Sequence, residues 1–285
     1  MKKLTLWYRK VYNTFLTTEN NLKLLPKVIF LFLTITLLFF GILQAKENVE
    51  WNIEKSTHFI VYYKHAQKTF VDELIVQAEN YYNKIADDLG FRRFDFWLWE
   101  NRAKIYIYDD MEDFHASTGF VSWSAGLAIT KVKTIHTYPY AKGFFETILP
   151  HELGHIVFRE FIGFDNQLVP VWLDEGVASS FEKGRAALAG KIIKPAIADD
   201  TFIPIQNLTM LNPQSMQDNQ KVNLFYAESI SIIHYLIKEF GKDNFIIFCQ
   251  RIRDGKNLAE SLRSTYNFNN LDELNISWKK FVENE

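Results

Sequence analysis

Residues 148–158 read Ile-Leu-Pro-His-Glu-Leu-Gly-His-Ile-Val-Phe. Their apolar residues recur with the period of a helix that buries one face, which predicts a helix over about residues 144–161. His151 and His155 are one turn apart on such a helix and share a face. Because two neutral imidazoles on one face can bind one divalent ion, the helix is predicted to bind a metal.

Two residues of this stretch conflict with an ordinary helix. Pro150 lacks the N–H that a helix interior uses, at a cost of about 3 kcal/mol. The conflict disappears if Thr147 caps the helix, because Pro150 then falls in the first turn. Gly154 costs about 1 kcal/mol relative to alanine, so its presence predicts that another part of the chain packs closely against it.

A second acidic segment, residues 172–178, reads Trp-Leu-Asp-Glu-Gly-Val-Ala. Its Glu175 is the candidate for a third ligand, because two histidines and one glutamate form a set typical of catalytic zinc, which keeps one position open for water. Glu152 stands where the H-E-x-x-H pattern places a base that takes a proton from water. A pattern of five residues also arises by chance, but the second segment counts against chance. The sequence predicts one zinc ion bound by His151, His155 and Glu175.

Together the two segments resemble the gluzincin metallopeptidases, which include thermolysin-like and aminopeptidase-N-like enzymes. Residues 172–178 are similar to the Trp-Leu-Asn-Glu-Gly-Phe-Ala segment of that group. The chain also resembles the bacterial peptidase MA-like domains, which show an early His-Phe strand, here at residues 58–63, and a late helix led by tyrosine, here Tyr226. The resemblance spans roughly residues 52–242.

This resemblance implies a zinc metallopeptidase with a gluzincin-like α+β fold. It places an antiparallel edge strand at residues 125–130, over the metal, where an extended peptide can pair with it; the alternative is an ordinary hairpin. It also implies that Tyr226 donates a hydrogen bond to the oxyanion, whereas the alternative is a capping or core aromatic residue. Other candidate donors are His136, His234 and His65.

The chain departs from the family pattern beside the glutamate ligand. Thermolysin-like enzymes carry an Asp four residues after that ligand, where it orients a histidine, and here the position holds Ser179. Asp174 or Ser179 could serve instead as the partner of His151. Nothing resembles the Gly-Ala-Met-Glu-Asn segment of the aminopeptidases, so exopeptidase specificity is not implied.

Composition and charge are those of a globular protein, and no nucleic-acid partner is predicted. The 285 residues are 48% hydrophobic and carry a formal net charge of −2, which gives no reason to expect a nucleic-acid partner. Cys249 is the single cysteine, so an intrachain disulfide is excluded.

The N-terminal region has the pattern of a targeting segment. Residues 28–43 carry no charge, and the six Lys and Arg residues before them form a basic flank. This predicts a signal anchor or a signal peptide over residues 28–45, with the uncleaved anchor slightly favoured; the alternative is a buried core helix. Residues 1–27 are then cytoplasmic, and the metal motif is extracytoplasmic, anchored to the membrane through 28–43 or secreted after cleavage.

The rest of the pattern predicts an α+β protein of two lobes with the metal between them. Residues 46–165 are predicted to form an α/β lobe with a mixed sheet and the metal helix, and residues 166–285 a mostly helical lobe with the glutamate ligand. Residues 190–220 contain three prolines and are predicted to be irregular. Strands are predicted at 58–63 and 103–108, and helices at 67–89, 111–116, 171–182, 221–240, 243–252, 256–265 and 271–283.

The function predicted from the sequence is hydrolysis of a peptide or protein substrate outside the cytoplasmic membrane. One alternative is a non-catalytic, membrane-anchored interaction module that keeps zinc for its structure. Glu152 argues against it, because structural zinc sites are closed and have no use for a base. The other alternative is a zinc hydrolase of a non-protein amide, such as cell-wall material.

Overall fold

Two central strands bury every second residue, Phe59 and Val61 in one and Ala103, Ile105 and Ile107 in the other, so they form one face of a hydrophobic core. The computed structural model describes residues 50–90, 97–119, 126–139 and 142–285. Within them the strand order is β1-β2-β3-β5-β4, with β2, β3 and β5 parallel and both outer pairs antiparallel. The predicted mixed sheet is confirmed. Its strands are β1 (Asn52–Lys55), β2 (Phe59–Tyr63), β3 (Ala103–Ile107), β4 (Gly126–Ile129) and β5 (Thr134–Thr137).

Helices pack against this sheet and make up most of the C-terminal part. Helices in the described residues are α1 (Lys68–Asp88), α2 (Met111–Thr118), α3 (Leu149–Ile162), α4 (Val171–Ser179), α5 (Arg185–Ala198), α6 (Ile205–Leu208), α7 (Asn219–Phe240), α8 (Lys242–Arg253), α9 (Leu258–Tyr266) and α10 (Leu271–Asn284). Helix α1 packs against β2, and α3 packs against α1 and β4. The predicted α+β fold with a helical C-terminal part is therefore confirmed.

The sheet core fixes the position of the metal helix. Val61 of β2 lies beside Ile105 of β3, which lies beside Ile135 of β5, and all three are fully buried. Each such side chain stabilises the fold by roughly 1.5–3 kcal/mol. Because α3 belongs to the same hydrophobic cluster, it is held against the sheet beside β4.

Strand β4 is the last strand of the sheet in the described residues, and it borders α3. A Cβ atom on Gly126 would lie 2.5 Å from Cγ2 of Ile148 and 3.9 Å from Oε1 of Glu152. Glycine therefore permits the close approach of strand and helix. The edge strand predicted over 125–130 is found at Gly126–Ile129, and residue 125 lies outside the described ranges.

The metal helix begins with a wide turn instead of a cap. Residues Phe144–Ile148 form a π-helical turn, so that Pro150 falls in the first turn of α3. Thr147, the cap that would have removed the Pro150 conflict, does not cap the helix, because its hydroxyl donates to the carbonyl of Gly143 over 2.6 Å. The π turn accommodates the proline without a cap.

The carbonyl of Glu146 accepts a hydrogen bond from a residue outside the helix, and Pro150 has no N–H to donate to it. In an unbroken α-helix the N–H of residue 150 would bond to the carbonyl of Glu146. Here the backbone N–H of Lys183 donates to that carbonyl over 2.8 Å. The turn after α4 is thereby fastened to the start of the metal helix.

Two glycines allow α3, α4 and α7 to pack at backbone distance. A Cβ on Gly154 would lie 2.8 Å from Cα of Ala178, and one on Gly176 would lie 2.7 Å from the carbonyl oxygen of Ser229. The close packing predicted from Gly154 is confirmed. It also brings Glu175, in the middle of α4, towards the metal helix.

The prediction of irregular structure over residues 190–220 is wrong for its first part. Helix α5 continues through Pro195, whose missing N–H costs about 3 kcal/mol. Its apolar side chains face α7, and Ala189, Ile193 and Ile197 are buried. Burial of this face outweighs the cost of one lost hydrogen bond.

Residues Trp51–Glu285 form one compact unit. The lobe boundary predicted between 165 and 166 falls in the loop between α3 and α4 and stays a prediction. The segments 1–27 and 28–45 lie outside the described residues. Among the residues that are described, no helix is both long enough and apolar enough to cross a bilayer.

Candidate metal centre

Three donor atoms from α3 and α4 converge. Nε2 of His151 and Nε2 of His155 are 3.1 Å apart, and Oε2 of Glu175 lies 3.7 Å from the first and 3.6 Å from the second. The histidines share a face of α3 because four residues make about one turn. The structure thus brings together the three ligands predicted from the sequence.

The size and chemistry of this triangle fit a zinc ion. Tetrahedral zinc binds nitrogen and oxygen at about 2.0–2.2 Å, which separates neighbouring donor atoms by about 3.3 Å. Oε2 of Glu175 is buried and accepts no hydrogen bond in the described part of the chain. A buried carboxylate oxygen in that state is unfavourable without a cation. His151, His155 and Glu175 are therefore the residues that would hold the metal.

Asp174 orients one of the two histidines. Its Oδ1 lies 2.9 Å from Nδ1 of His155, and its Oδ2 accepts from Nε of Arg159 over 2.6 Å. Burial opposes the charge on Asp174, but His155 and Arg159 lower the pKa of its carboxyl below the usual value. The carboxylate keeps the imidazole proton on Nδ1 and leaves Nε2 free to bind a metal.

Glu182 orients the other histidine. Its Oε1 lies 2.9 Å from Nδ1 of His151, whereas Oγ of Ser179 lies at 3.4 Å. Of the two partners that the sequence suggested, Asp174 serves the other histidine and Ser179 is the more distant contact. Sequence reasoning missed Glu182 because it lies in the turn after α4, where no periodicity fixes a side chain. The available signal was a carboxylate seven residues beyond Glu175.

The predicted base lies beside the edge strand. Glu152 follows His151 in α3, and its Oε1 is 3.9 Å from the place that a Cβ of Gly126 would take. It does not belong to the triangle of donor atoms. Its carboxylate is thus available to act on a molecule bound between β4 and the metal ligands.

Comparison with known protein families agrees with this geometry. A sequence model of the peptidase MA superfamily matches residues 86–284, which include both metal segments. The chain belongs to the peptidase MA superfamily. No curated protein matches it. Membership in the superfamily indicates a function of the metallopeptidase type, while the thermolysin-like or aminopeptidase-like subgroup stays a prediction.

Tyr226 of this peptidase MA protein lies on α7, close enough to Glu175 for the charge of that ligand to act on its hydroxyl. Burial raises the pKa of Tyr226, and the charge of Glu175 adds to the effect, which the cation of Arg185 opposes only in part. The phenol therefore keeps its proton at neutral pH and remains a hydrogen-bond donor. The guanidinium carbon of Arg185 is 5.8 Å from the centre of its ring. The role of Tyr226 as donor to the oxyanion stays a prediction.

The three histidines that the sequence suggested as other donors have partners of their own. None of these partner residues is one of the three predicted metal ligands. The pairs are His136 with Tyr108 at 3.0 Å, His65 with Asp109 at 2.9 Å and His234 with Glu285 at 3.4 Å.

Proposed function

We propose that this chain is a zinc metallopeptidase that hydrolyses peptide bonds outside the cytoplasmic membrane. The observation that carries the proposal is the triangle of donor atoms from His151, His155 and Glu175, with Glu152 beside it. Two histidines and one glutamate are the ligands of catalytic zinc in metallopeptidases, and they leave a coordination position open. The extracytoplasmic location is supported by the basic flank before the uncharged residues 28–43.

The proposed reaction divides the work among four side chains. When bound, zinc supplies a Lewis acid that polarises the scissile carbonyl and makes water a nucleophile near neutral pH. Glu152 accepts a proton from the attacking water and returns it to the leaving amine. Tyr226, which keeps its proton, donates a hydrogen bond to the oxygen that becomes negatively charged. Asp174 and Glu182 hold the two imidazoles in the orientation that binds the metal.

Substrate binding follows from the position of β4. An extended peptide that adds to this strand continues the sheet through main-chain hydrogen bonds. Gly126 lies next to Glu152, so the peptide bond that passes this residue would meet the base. We therefore propose an unfolded or extended segment of a protein as the substrate.

The test uses the full-length protein in detergent and a library of unstructured peptides. We expect stoichiometric zinc by elemental analysis and cleavage that stops when zinc is removed. Glu152→Gln should retain zinc and lose at least 100-fold in kcat, because general base catalysis contributes about 10²–10⁴-fold. Glu112→Gln, an exposed residue of α2, is the matched control and should behave as wild type.

Two outcomes would reject the proposal. Undiminished cleavage by Glu152→Gln would assign the activity to another site. Zinc retained by a wild-type protein that cleaves no peptide would favour the non-catalytic module, or a hydrolase of other amides if a cell-wall substrate is cleaved instead.

A further inference from the structure

Arg185 stands beside the proposed active site, and the proposed reaction does not use it. It is the first residue of α5, and its Nε lies 3.8 Å from Oε2 of Glu182. Its guanidinium carbon lies 5.8 Å from the ring centre of Tyr226. Oε1 of Glu182 contacts His151, so the carboxylate of Glu182 lies between the Arg185 cation and a predicted metal ligand.

Arg185 pairs with the carboxylate of Glu182 and lies over the ring of Tyr226, but its guanidinium donates no hydrogen bond within the described part of the fold. A guanidinium has five N–H donors, and the 3.8 Å separation from Glu182 is too long for a hydrogen bond. The side chain is 31% exposed. Arg159 is different, because it donates to Asp174 over 2.6 Å and to the carbonyl of Asn166 over 3.2 Å. Arg159 is thus a structural cation, whereas Arg185 has donors to offer a ligand.

The place of Arg185 in its helix is also unfavourable. The first turn of α5 has no acidic residue and no side-chain cap, and a cation there opposes the helix dipole. A residue that breaks a local rule beside a site is a candidate for function.

We propose that Arg185 binds a carboxylate of the substrate, so that the enzyme prefers peptides with a carboxylate close to the scissile bond. This inference rests on the proposed peptidase function. Arginine suits the role because its planar fork can make two parallel hydrogen bonds to one carboxylate. The group is either an acidic side chain or the C-terminal carboxylate of the peptide.

The geometry limits where that carboxylate lies. The steps from His151 to Glu182 and from Glu182 to Arg185 measure 2.9 and 3.8 Å. With the widths of the imidazole and the carboxylate added, the guanidinium is at most about 11 Å from the metal-binding nitrogen, and an extended peptide advances about 3.3–3.6 Å per residue. The carboxylate therefore belongs to one of about three residues on one side of the cleaved bond.

Matched peptides test the proposal. A peptide that the full-length enzyme cleaves is remade with Glu or Gln at each of the three positions on either side of the cleaved bond, and with a free or an amidated C-terminus. We expect kcat/KM to be about 10-fold higher for a carboxylate at one position, as a charge-assisted hydrogen bond would give. A preference at an internal position identifies a side chain, and a preference for the free C-terminus identifies the terminal carboxylate.

Variants separate recognition from support of the fold. Arg185→Gln should remove the preference, and Arg185→Lys should restore part of it. Arg263→Gln, the same loss of charge on the exposed face of α9, should leave the preference intact. In the inactive Glu152→Gln background, calorimetry should show the same 10-fold difference in Kd between the paired peptides, again lost with Arg185→Gln.

Other results overturn the inference. Loss of zinc from Arg185→Gln, or an equal fall in activity on acidic and neutral peptides, would mean that Arg185 only supports Glu182. Cleavage by the wild type without any charge preference would reject this inference alone. No cleavage of any peptide by the wild type would reject the proposed function on which it rests.

Discussion

Nδ1 of His155 lies 2.9 Å from Oδ1 of Asp174, and Asp174 directly precedes Glu175 in α4. A single turn of α4 therefore supplies one donor atom of the triangle and the carboxylate that orients a second donor. The relative position of α3 and α4 sets both contacts at once. Disturbing either residue should accordingly weaken metal binding before it unfolds the protein.

Asp174→Asn should weaken zinc binding by about 10–100-fold, because carboxylate partners of metal-binding histidines typically contribute that much. An amide cannot hold the Nδ1 proton of His155 as a carboxylate does. Competition with a chromogenic chelator measures the affinity. Asp165→Asn, a change at a residue whose side chain is 78% exposed, is the control, and an unchanged affinity in Asp174→Asn would contradict the assignment.

Glu182→Gln should reduce zinc affinity more than Ser179→Ala. The Glu182 oxygen is 2.9 Å from Nδ1 of His151, whereas the Ser179 hydroxyl is 3.4 Å away, and the charged partner makes the stronger hydrogen bond. The same chelator competition gives both values. If Ser179→Ala had the larger effect, the serine that stands in the family's usual position would be the true partner.

Gly154→Ala should lower the free energy of unfolding by about 1–3 kcal/mol, the range for overpacking a well-packed core. Alanine is the better helix former, but its Cβ would stand 2.8 Å from Cα of Ala178, a backbone atom that cannot rotate away. Gly190→Ala in α5 meets nothing within 4 Å and should instead stabilise by about 1 kcal/mol. Urea unfolding of both variants and the wild type measures the free energies of unfolding, and the prediction fails if both substitutions stabilise the protein.

Glu228 should make the stability depend on pH. Its side chain is fully buried, Oε1 accepts from the N–H of Ile203, and burial raises the pKa of its carboxyl to about 8. An acid whose pKa is higher in the folded state adds stability that is complete below its unfolded pKa of about 4.5 and is lost as the pH rises through about 8.

Glu228→Gln keeps the acceptor for Ile203 and cannot ionise. Its melting temperature should therefore fall less than that of the wild type between pH 5 and pH 9, and at pH 9 the variant should be the more stable protein. Glu239→Gln, an exposed change on the same helix, should follow the wild-type profile. Parallel profiles for Glu228→Gln and wild type would show that Glu228 does not titrate in this range.

Much of the fold was predictable because burial leaves a period in the sequence. The alternation in β2 and β3 and the helical periods of α1 and α7–α10 located those elements to within a few residues. The rule that breaks helices at proline failed at Pro195, where tertiary burial of one helix face outweighed the local cost. At Pro150 the rule held, because the proline lies in the first turn of α3. A π turn before it, rather than a capping side chain, begins the helix.

The candidate site was predictable where its residues share a helix and hidden where they do not. His151, Glu152 and His155 lie within two turns, so their spacing alone fixes their relative directions. Glu182 lies in the turn after α4 and Arg185 at the start of α5. The directions of their side chains depend on tertiary packing, which no local sequence pattern predicts. The missed residues are therefore those whose position is set by tertiary contacts.

The hydrogen bond from Lys183 to Glu146 has a consequence for the metal site. Lys183 directly follows Glu182 in the chain. This main-chain hydrogen bond at the start of α3 therefore limits where the Glu182 carboxylate can lie relative to His151. Pro150 has no N–H that could compete for the Glu146 carbonyl, as the N–H of residue 150 would in an unbroken α-helix. The proline at the second residue of α3 thus favours a main-chain contact with the segment whose Glu182 orients His151, the next residue of the helix.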